Sequence, residues 1–271
     1  MNKFKLAINK FIFLYSIKTS LGDLISLIIE SKRYSEKYKK KDFSYSKIND
    51  DRMFMLKLHK QILPIHIRTY SGDYDIFYEV FWKEVYKIPP GFIDTPKLII
   101  DLGANVGFTS IYYALHYPNA EIIAVEPQIQ NFHQMERNTA HFKNINKINI
   151  VISDHDKRVS LSDAELSYNY KISETQFLDE TVEAISVEKL MVLYNINHID
   201  LIKMDIEGEE RNILKHNNKW LSKVSSIIIE IHYPYQFNEL EDDLSQFGFI
   251  TYPINSMGNK MIIARKPFFK R

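Results

Sequence analysis

The sequence predicts an α/β fold, a doubly wound sheet with helices on both faces, and three stretches carry that expectation. Lys97 to Gly107 reads KLIIDLGANVG. Leu98, Ile99 and Ile100 form a short apolar run that stops at Asp101 and passes into a glycine-containing turn, after which Phe108 to Tyr117 continues as a helix. Ala120 to Pro127, AEIIAVEP, repeats the pattern, with Ile122 to Val125 ending at Glu126. His198 to Glu210, HIDLIKMDIEGEE, supplies another apolar strand that ends in an acid, Asp205. In open sheets of this kind the carboxyl ends of the strands line the ligand crevice.

Composition sets the outer bounds. A chain of 271 residues, 45% hydrophobic and 25% charged, can bury a full core. Its net charge of +1 argues against a general electrostatic grip on nucleic acid, and no basic stripe interleaved with aromatics replaces it. The absence of cysteine excludes disulfides and thiolate metal sites, and the cytoplasm is the default compartment.

From the N-terminus, Ile8, Phe11, Ile12 and Tyr15 follow helical spacing, and Leu21, Leu24, Ile25 and Ile28 repeat it after a Ser20 cap. Two amphipathic helices are expected. Lys10, Lys18, Asp23 and Glu30 interrupt the apolar run and no small-residue cleavage site follows it, so neither a transmembrane span nor a signal peptide is expected. The stripes need a surface, either the domain itself, a homodimer partner, or a membrane met peripherally through residues 1–30. Ser31 to Arg52 is polar and charged and reads as the end of a helix and a linker. Residues 1–50 are thus an N-terminal segment, 51–96 lead into the core, and 97–271 form the main domain.

Phe54, Leu56 and Leu58 alternate, as do Ile65, Ile67 and Thr69, which predicts a hairpin with Pro64 near its turn. Asp73 is placed to cap a helix reaching Tyr86, with Ile76, Phe77, Val80, Phe81 and Val85 inward and Pro89 and Pro90 as its stop. Beyond Glu126, Gln128 to Phe142 reads as a helix and Ile148 to Ser153 as a strand, followed by Asp154. Arg158 to Ser162 suggests a small arm, Tyr168 to Glu180 a covering loop, and Val187 to Tyr194 a helix. Gly208 is expected to open a helix toward Asn217.

The glycine spacing bears on the ligand. An acid about 20 residues beyond a glycine loop suits ribose hydroxyls, so a nucleoside is expected. A dinucleotide fingerprint needs a second glycine for the pyrophosphate. Here Asn105 and Phe108 stand at the second and third glycine positions, and the loop is GxxxG, from Gly103 to Gly107. S-adenosylmethionine carries no phosphate and makes no such demand. Strand parity then puts Lys203 and Asp205 on one face, and Glu230 and His232 on one face of SSIIIEIHYP. If those strands are neighbours, Lys203, Asp205, Glu207, Glu230 and His232 gather at one edge as a candidate catalytic group.

DLGANVG, the Glu126-Pro127 pair, the Ser153-Asp154 step, IDLIKMDIEGEE and the IEIH strand, in this order, resemble the FkbM-type family of S-adenosylmethionine-dependent methyltransferases. RTYSGDYDIFYEVFWKEVY, from Arg68 to Tyr86, resembles the segment that precedes the glycine loop in that family. The resemblance implies a seven-stranded, mostly parallel class I methyltransferase sheet and methyl transfer to an oxygen of a sugar or polyketide. It implies that Asp101, Gly103, Ala104, Asn105 and Gly107 surround the cofactor's methionine end, Glu126 its ribose, and Ser153 with Asp154 its adenine. Asp205 and Glu207 would flank the reaction centre.

Methyl transfer from a sulfonium needs in-line placement of the acceptor hydroxyl and removal of its proton, which His232 or Asp205 could take. A divalent cation, magnesium or manganese, held by Asp205, Glu207, Glu230 or His232 could instead acidify that hydroxyl, although no ligand spacing compels a metal. Two other readings stay open: a nucleotide-dependent oxidoreductase on a Rossmann-like sheet, and a non-catalytic protein that binds cofactor or glycan.

Overall fold

A computed structural model describes residues 3–34, 50–162, 171–173, 181–254 and 260–267. The central sheet grows from β3 (Leu98–Leu102), whose isoleucines are fully buried because helices cover both its faces. The chain runs outward through α4 (Phe108–His116), β4 (Glu121–Val125), α5 (Ile129–Thr139) and β5 (Ile145–Ile148). It then returns to the other side of β3 through α6 (Val187–Leu193), β10 (Ile199–Met204), α7 (Glu210–Lys215) and β11 (Val224–Glu230). Helix α8 (Phe237–Ser245), β12 (Ile250–Pro253) and β13 (Met261–Arg265) finish it. The order across seven strands is β12-β13-β11-β10-β3-β4-β5, parallel except for β13.

Strand parity divides the core as expected. Ile99, Leu201 and Ile228 pack on the face that carries α4 and α5. Ile100, Ile202, Met204 and Ile229 pack on the opposite face with Leu190, Ile213 and Leu240.

The expected strand from Ile148 to Ser153 is split. Asn149 donates to the carbonyls of Glu126 and Pro127, at 2.8 and 2.9 Å, and turns the chain off the sheet. β6 (Val151–Ile152) then pairs with β9 (Thr181–Ile185), which pairs with β7 (Lys157–Ser162), itself flanked by β8 (Lys171–Ser173), in a separate small sheet. Most of the expected covering loop, Tyr168 to Glu180, lies outside the described residues.

The hairpin forms as β1 (Asp51–Leu58) and β2 (Gln61–Arg68), with Phe54, Leu56, Ile65 and Ile67 buried. Pro64 sits inside β2 opposite Met55 rather than near the turn. It is tolerated because its nitrogen faces the edge away from β1. Two residues on, the His66 N–H uses that same edge to reach Asn138 of α5, at 2.7 Å.

Asp73 does not cap its helix. Gly72, at φ 81, takes the cap position of α3 (Asp73–Phe77), and the Asp73 carboxylate instead pairs with Arg68 at 2.9 Å, both groups buried. Arg68 also donates to Asn131 of α5 at 2.7 Å. The helix widens into a π-helical turn over Tyr78–Trp82 and stops short of Tyr86, at Glu84 with φ 50. Phe77, Val80 and Val85 are buried, while Ile76 and Phe81 are half-buried. Helix α7 begins at Glu210, after a turn at Glu207 and Gly208, and ends at Lys215.

The N-terminal helices are α1 (Lys3–Ile17) and α2 (Leu21–Tyr34), and Ser20 caps the second by accepting the Asp23 N–H at 3.0 Å. Their buried sides match the stripes expected from spacing only at Leu24 and Ile28 of the second helix. Leu14 and Ile17 of α1, with Leu24 and Leu27 of α2, pack on the domain, while Ile8, Phe11, Ile12, Tyr15, Leu21 and Ile25 are exposed. Spacing shows that a helix has an apolar stripe; where two apolar rows coexist, tertiary contacts choose which is covered.

Candidate active site

A cavity of about 420 Å³ opens at the carboxyl ends of the central strands, beside the point where chain order reverses between β3 and β10. The loop after β3 is clamped from beneath. Asp101, fully buried, accepts the Ser110 hydroxyl at 2.7 Å and faces the Lys203 ammonium at 3.2 Å. Lys203 in turn donates to the Gly103 carbonyl at 2.6 Å. Burial alone would lower its pKa, but the Asp101 and Asp205 charges raise it above the usual lysine value, so the clamp stays charged.

The two glycines serve the packing of this loop. Gly103 has φ 74, and a Cβ there would meet the Asp205 carbonyl oxygen at 1.8 Å. Gly107 has φ 85, and a Cβ would meet Thr139 at 2.9 Å and Met135 at 3.0 Å. One lets the loop cross the end of β10 and the other lets it pack on α5. Asn105 between them adopts φ 51 and donates its backbone N–H to Glu126 at 2.8 Å. Its side-chain oxygen is buried and has no hydrogen-bond partner among the described residues.

Glu126 ends β4 on the cavity wall and also accepts the Gln128 N–H at 3.0 Å. Burial outweighs these donors and pushes its carboxyl up to about 7. Pro127, Ile150 and Ile152 continue the wall as an apolar slot.

The opposite wall is acidic. β10 and β11 are parallel neighbours in register at Met204 and Ile229, so Asp205 and Glu230 lie side by side one step later. The Tyr86 hydroxyl donates to Asp205 at 2.6 Å. Glu207 holds φ 56, an uncommon conformation for a residue with a side chain, within a turn stapled by Glu210. The Glu210 carboxylate, fully buried, accepts the N–H groups of Ile206 at 3.1 Å and Gly208 at 3.2 Å, and pairs with His232 Nδ1 at 2.9 Å. His232 Nε2 then lies 3.5 Å from Glu207 and 3.9 Å from Asp205. Burial would lower the imidazole's pKa, but the Glu210 bond and the surrounding carboxylates push it up to about 9. Glu207 rises to about 7 through burial and the Asp205 charge, and Glu230 rises for the same two reasons.

A family model described as a methyltransferase FkbM domain matches residues 101–261. The chain belongs to the FkbM methyltransferase family. Its sheet is accordingly the class I methyltransferase sheet, seven-stranded and mostly parallel. Methyltransferase 1 of Beauveria bassiana is 23% identical over 184 residues, covering 56% of this chain and 71% of that protein. Hexuronic acid methyltransferase AglP of Haloferax volcanii is 24% identical over 135 residues, covering 49% of this chain and 54% of that one. AMB antimetabolite synthetase AmbE of Pseudomonas aeruginosa is 20% identical over 198 residues, 58% of this chain but only 9% of that protein's length. Among solved structures, a SAM-dependent methyltransferase from Agrobacterium tumefaciens aligns with TM-score 0.46 and 10% identity, covering 83% of this chain and 72% of that one.

For this FkbM chain, Gly103, Ala104, Asn105, Glu126, Asp205, Glu207, Glu230 and His232 all line the one cavity. Asp101 and Gly107 lie behind its wall as loop supports. Ser153 and Asp154 bond to each other at 3.1 Å away from the lining, where Ile150, Val151 and Ile152 stand instead. The sequence reading missed Glu210 and Tyr86. Glu210 looks like any helix N-terminal acid in EGEE, and Tyr86 reaches Asp205 only because the preceding helix stops early. Asp205, Glu210 and His232 could also offer a cation one ligand atom each, all within 4.8 Å, but the His232–Glu210 bond accounts for that closeness without one.

Proposed function

We propose that the protein is an S-adenosylmethionine-dependent O-methyltransferase acting on a hydroxyl of a sugar, glycan or related natural product. Glu126 carries this reading: a buried carboxylate ending the strand after the glycine loop, on the cavity wall, suits the two hydroxyls of a ribose. The rest of the wall fits the same cofactor. The unpartnered Asn105 oxygen offers an acceptor to its amino-acid end, and the slot of Pro127, Ile150 and Ile152 suits a flat purine. The glycines are consumed by packing and build no pyrophosphate cradle, which disfavours a dinucleotide oxidoreductase.

When bound, the cofactor supplies a methyl group already activated on a positively charged sulfur. The chain's own task is to orient the acceptor and take its proton. His232 holds its own proton at neutral pH, so the acceptor of the hydroxyl proton is Glu207, whose pKa of about 7 matches the task. Asp205 orients the hydroxyl, with its second oxygen fixed by Tyr86. The wall adds Asp75, Glu79 and Glu230 to these acids and, besides the Lys203 held by Asp101, one lysine, Lys260. It therefore favours a neutral or cationic acceptor over a carboxylated sugar such as the hexuronic acid named for AglP.

Calorimetry with S-adenosylmethionine and with NAD, followed by labelled methyl transfer into neutral sugars, uronates and lipid-linked glycans, tests the proposal. Tight NAD binding with no binding of the methyl donor would overturn it. Loss of turnover in chelator, restored by magnesium or manganese, would move the acidification of the hydroxyl from Glu207 to a cation at Asp205, Glu210 and His232.

A further inference from the structure

Helices α1 and α2 present large apolar side chains on the sides that face away from the protein. On α1, Phe11, Ile12 and Tyr15 are each more than half exposed, and on α2 so are Leu21, Ile25 and Ile29. Each set lies along one side of its helix, Phe11 and Ile12 one turn before Tyr15, and Leu21, Ile25 and Ile29 at steps of four residues. The opposite sides, Leu14 with Ile17 and Leu24 with Leu27, are already buried against the domain. A helix apolar on both sides calls for a second cover, and a contiguous exposed apolar face marks an interaction surface.

Charge says what covers it. No acid precedes Asp23, whereas four lysines do. Residues 1–34 hold six Lys and Arg against two Asp and Glu, a net +4, which leaves the other 237 residues at net −3. We infer that this face docks on an anionic lipid bilayer, with the aromatic and aliphatic rows at the headgroup boundary and the outward basic groups, Lys5 and Lys18 among them, near the phosphates, while Lys10 lies on the domain side over the Tyr78 ring at 3.5 Å. A second copy of the chain would bring an equally basic segment against the first, which is unfavourable. The docking is peripheral, since no described helix is long and apolar enough to cross a membrane.

The docked face stands one helix away from the cavity. Glu30 of α2 accepts the Tyr74 hydroxyl at 2.7 Å, and Ser31 accepts the Tyr78 hydroxyl at 2.9 Å. The same helical segment puts Asp75, Ile76 and Glu79 into the cavity wall. Bilayer docking thus holds the cavity close to a lipid surface whatever its substrate.

Vesicle sedimentation of the full chain tests this inference, using phosphatidylcholine alone and phosphatidylcholine with about a third phosphatidylglycerol. The protein should sediment with the anionic vesicles only, and less so as salt rises. The Phe11→Ser/Ile12→Ser variant should partition roughly tenfold less or worse, with unchanged circular dichroism, because both side chains are exposed in the folded protein. Lys5→Glu should weaken binding at low salt. Failure to sediment with anionic vesicles, or equal binding to neutral ones, overturns the inference. So does a dimer that the Phe11→Ser/Ile12→Ser variant converts to a monomer. None of these outcomes depends on methyl transfer.

Discussion

The titration of Glu126 gives the most direct test of the cofactor site. Its carboxyl sits at about 7 because burial outweighs the two N–H groups that bond it. A ribose diol donates two hydrogen bonds, which a carboxylate accepts at both oxygens and a protonated carboxyl does not. Affinity for S-adenosylmethionine should therefore be level above pH 7 and fall by up to about tenfold for each pH unit below it. Between pH 7 and about pH 5.5 that amounts to a Kd rising roughly fifteenfold. Glu126→Gln keeps the size but loses an acceptor; it should weaken binding by about 1–3 kcal/mol and abolish the pH dependence. Stability supplies a second readout with a definite sign. The folded pKa is raised from 4.5, so the contribution is fully present below pH 4.5 and is lost as pH rises through 7. The full loss is on the order of 3 kcal/mol, and the Gln variant should not show it. Calorimetry across pH 5.5 to 8, with urea unfolding alongside, measures both. A Kd that ignores pH and is unchanged in the Gln variant refutes the assignment of Glu126 to the ribose.

Glu207→Gln should lower turnover by about 10² to 10⁴ and remove the acidic limb of the pH–rate profile near 7. Cofactor affinity should fall far less than turnover, because the proton is taken only in the transition state. Glu210→Gln should bring the His232 titration, followed by NMR, down from about 9 toward the ordinary histidine range of about 6.5, and should slow turnover by loosening the Glu207 turn. Gly103→Ala drives a Cβ into the Asp205 carbonyl and should prevent native assembly of the loop. Gly91→Ala, also at positive φ but with open space around it, should cost only about 1 kcal/mol in urea unfolding. Asp73→Ala strands the buried Arg68 guanidinium and should destabilise by about 3–5 kcal/mol.

Those residues also mark how far the sequence could be read. The sheet was legible because its strands are short isoleucine runs ended by acids, and a period of two leaves no freedom about which residue faces which side. Asp205 beside Glu230 and His232 followed from that parity plus the adjacency of β10 and β11. Glu126 followed from its distance beyond the glycine loop. What stayed hidden depended on long-range partners. Asp73 has every local mark of a cap, yet Arg68 outcompetes the helix end for its carboxylate. The split of the third strand hangs on where the Asn149 side chain goes. Helix α8 did announce itself, through a capping box at Gln236 and Glu239, but among polar residues that pass for a loop.

The acidic rim explains why these side chains tolerate one another. Lys203 is committed below the loop to Asp101 and the Gly103 carbonyl, so the charge of Asp205, Glu207 and Glu230 at the cavity mouth is opposed chiefly by His232. Like charges on a partly desolvated wall raise one another's pKa, and Glu207 and Glu230 are raised in that way after burial itself. A cation entering the cavity would act in the opposite direction and draw both carboxyls back toward ionisation. On the reading proposed here, a bound cofactor would supply such a charge, and Glu207 would then be held more fully as the carboxylate that accepts the hydroxyl proton.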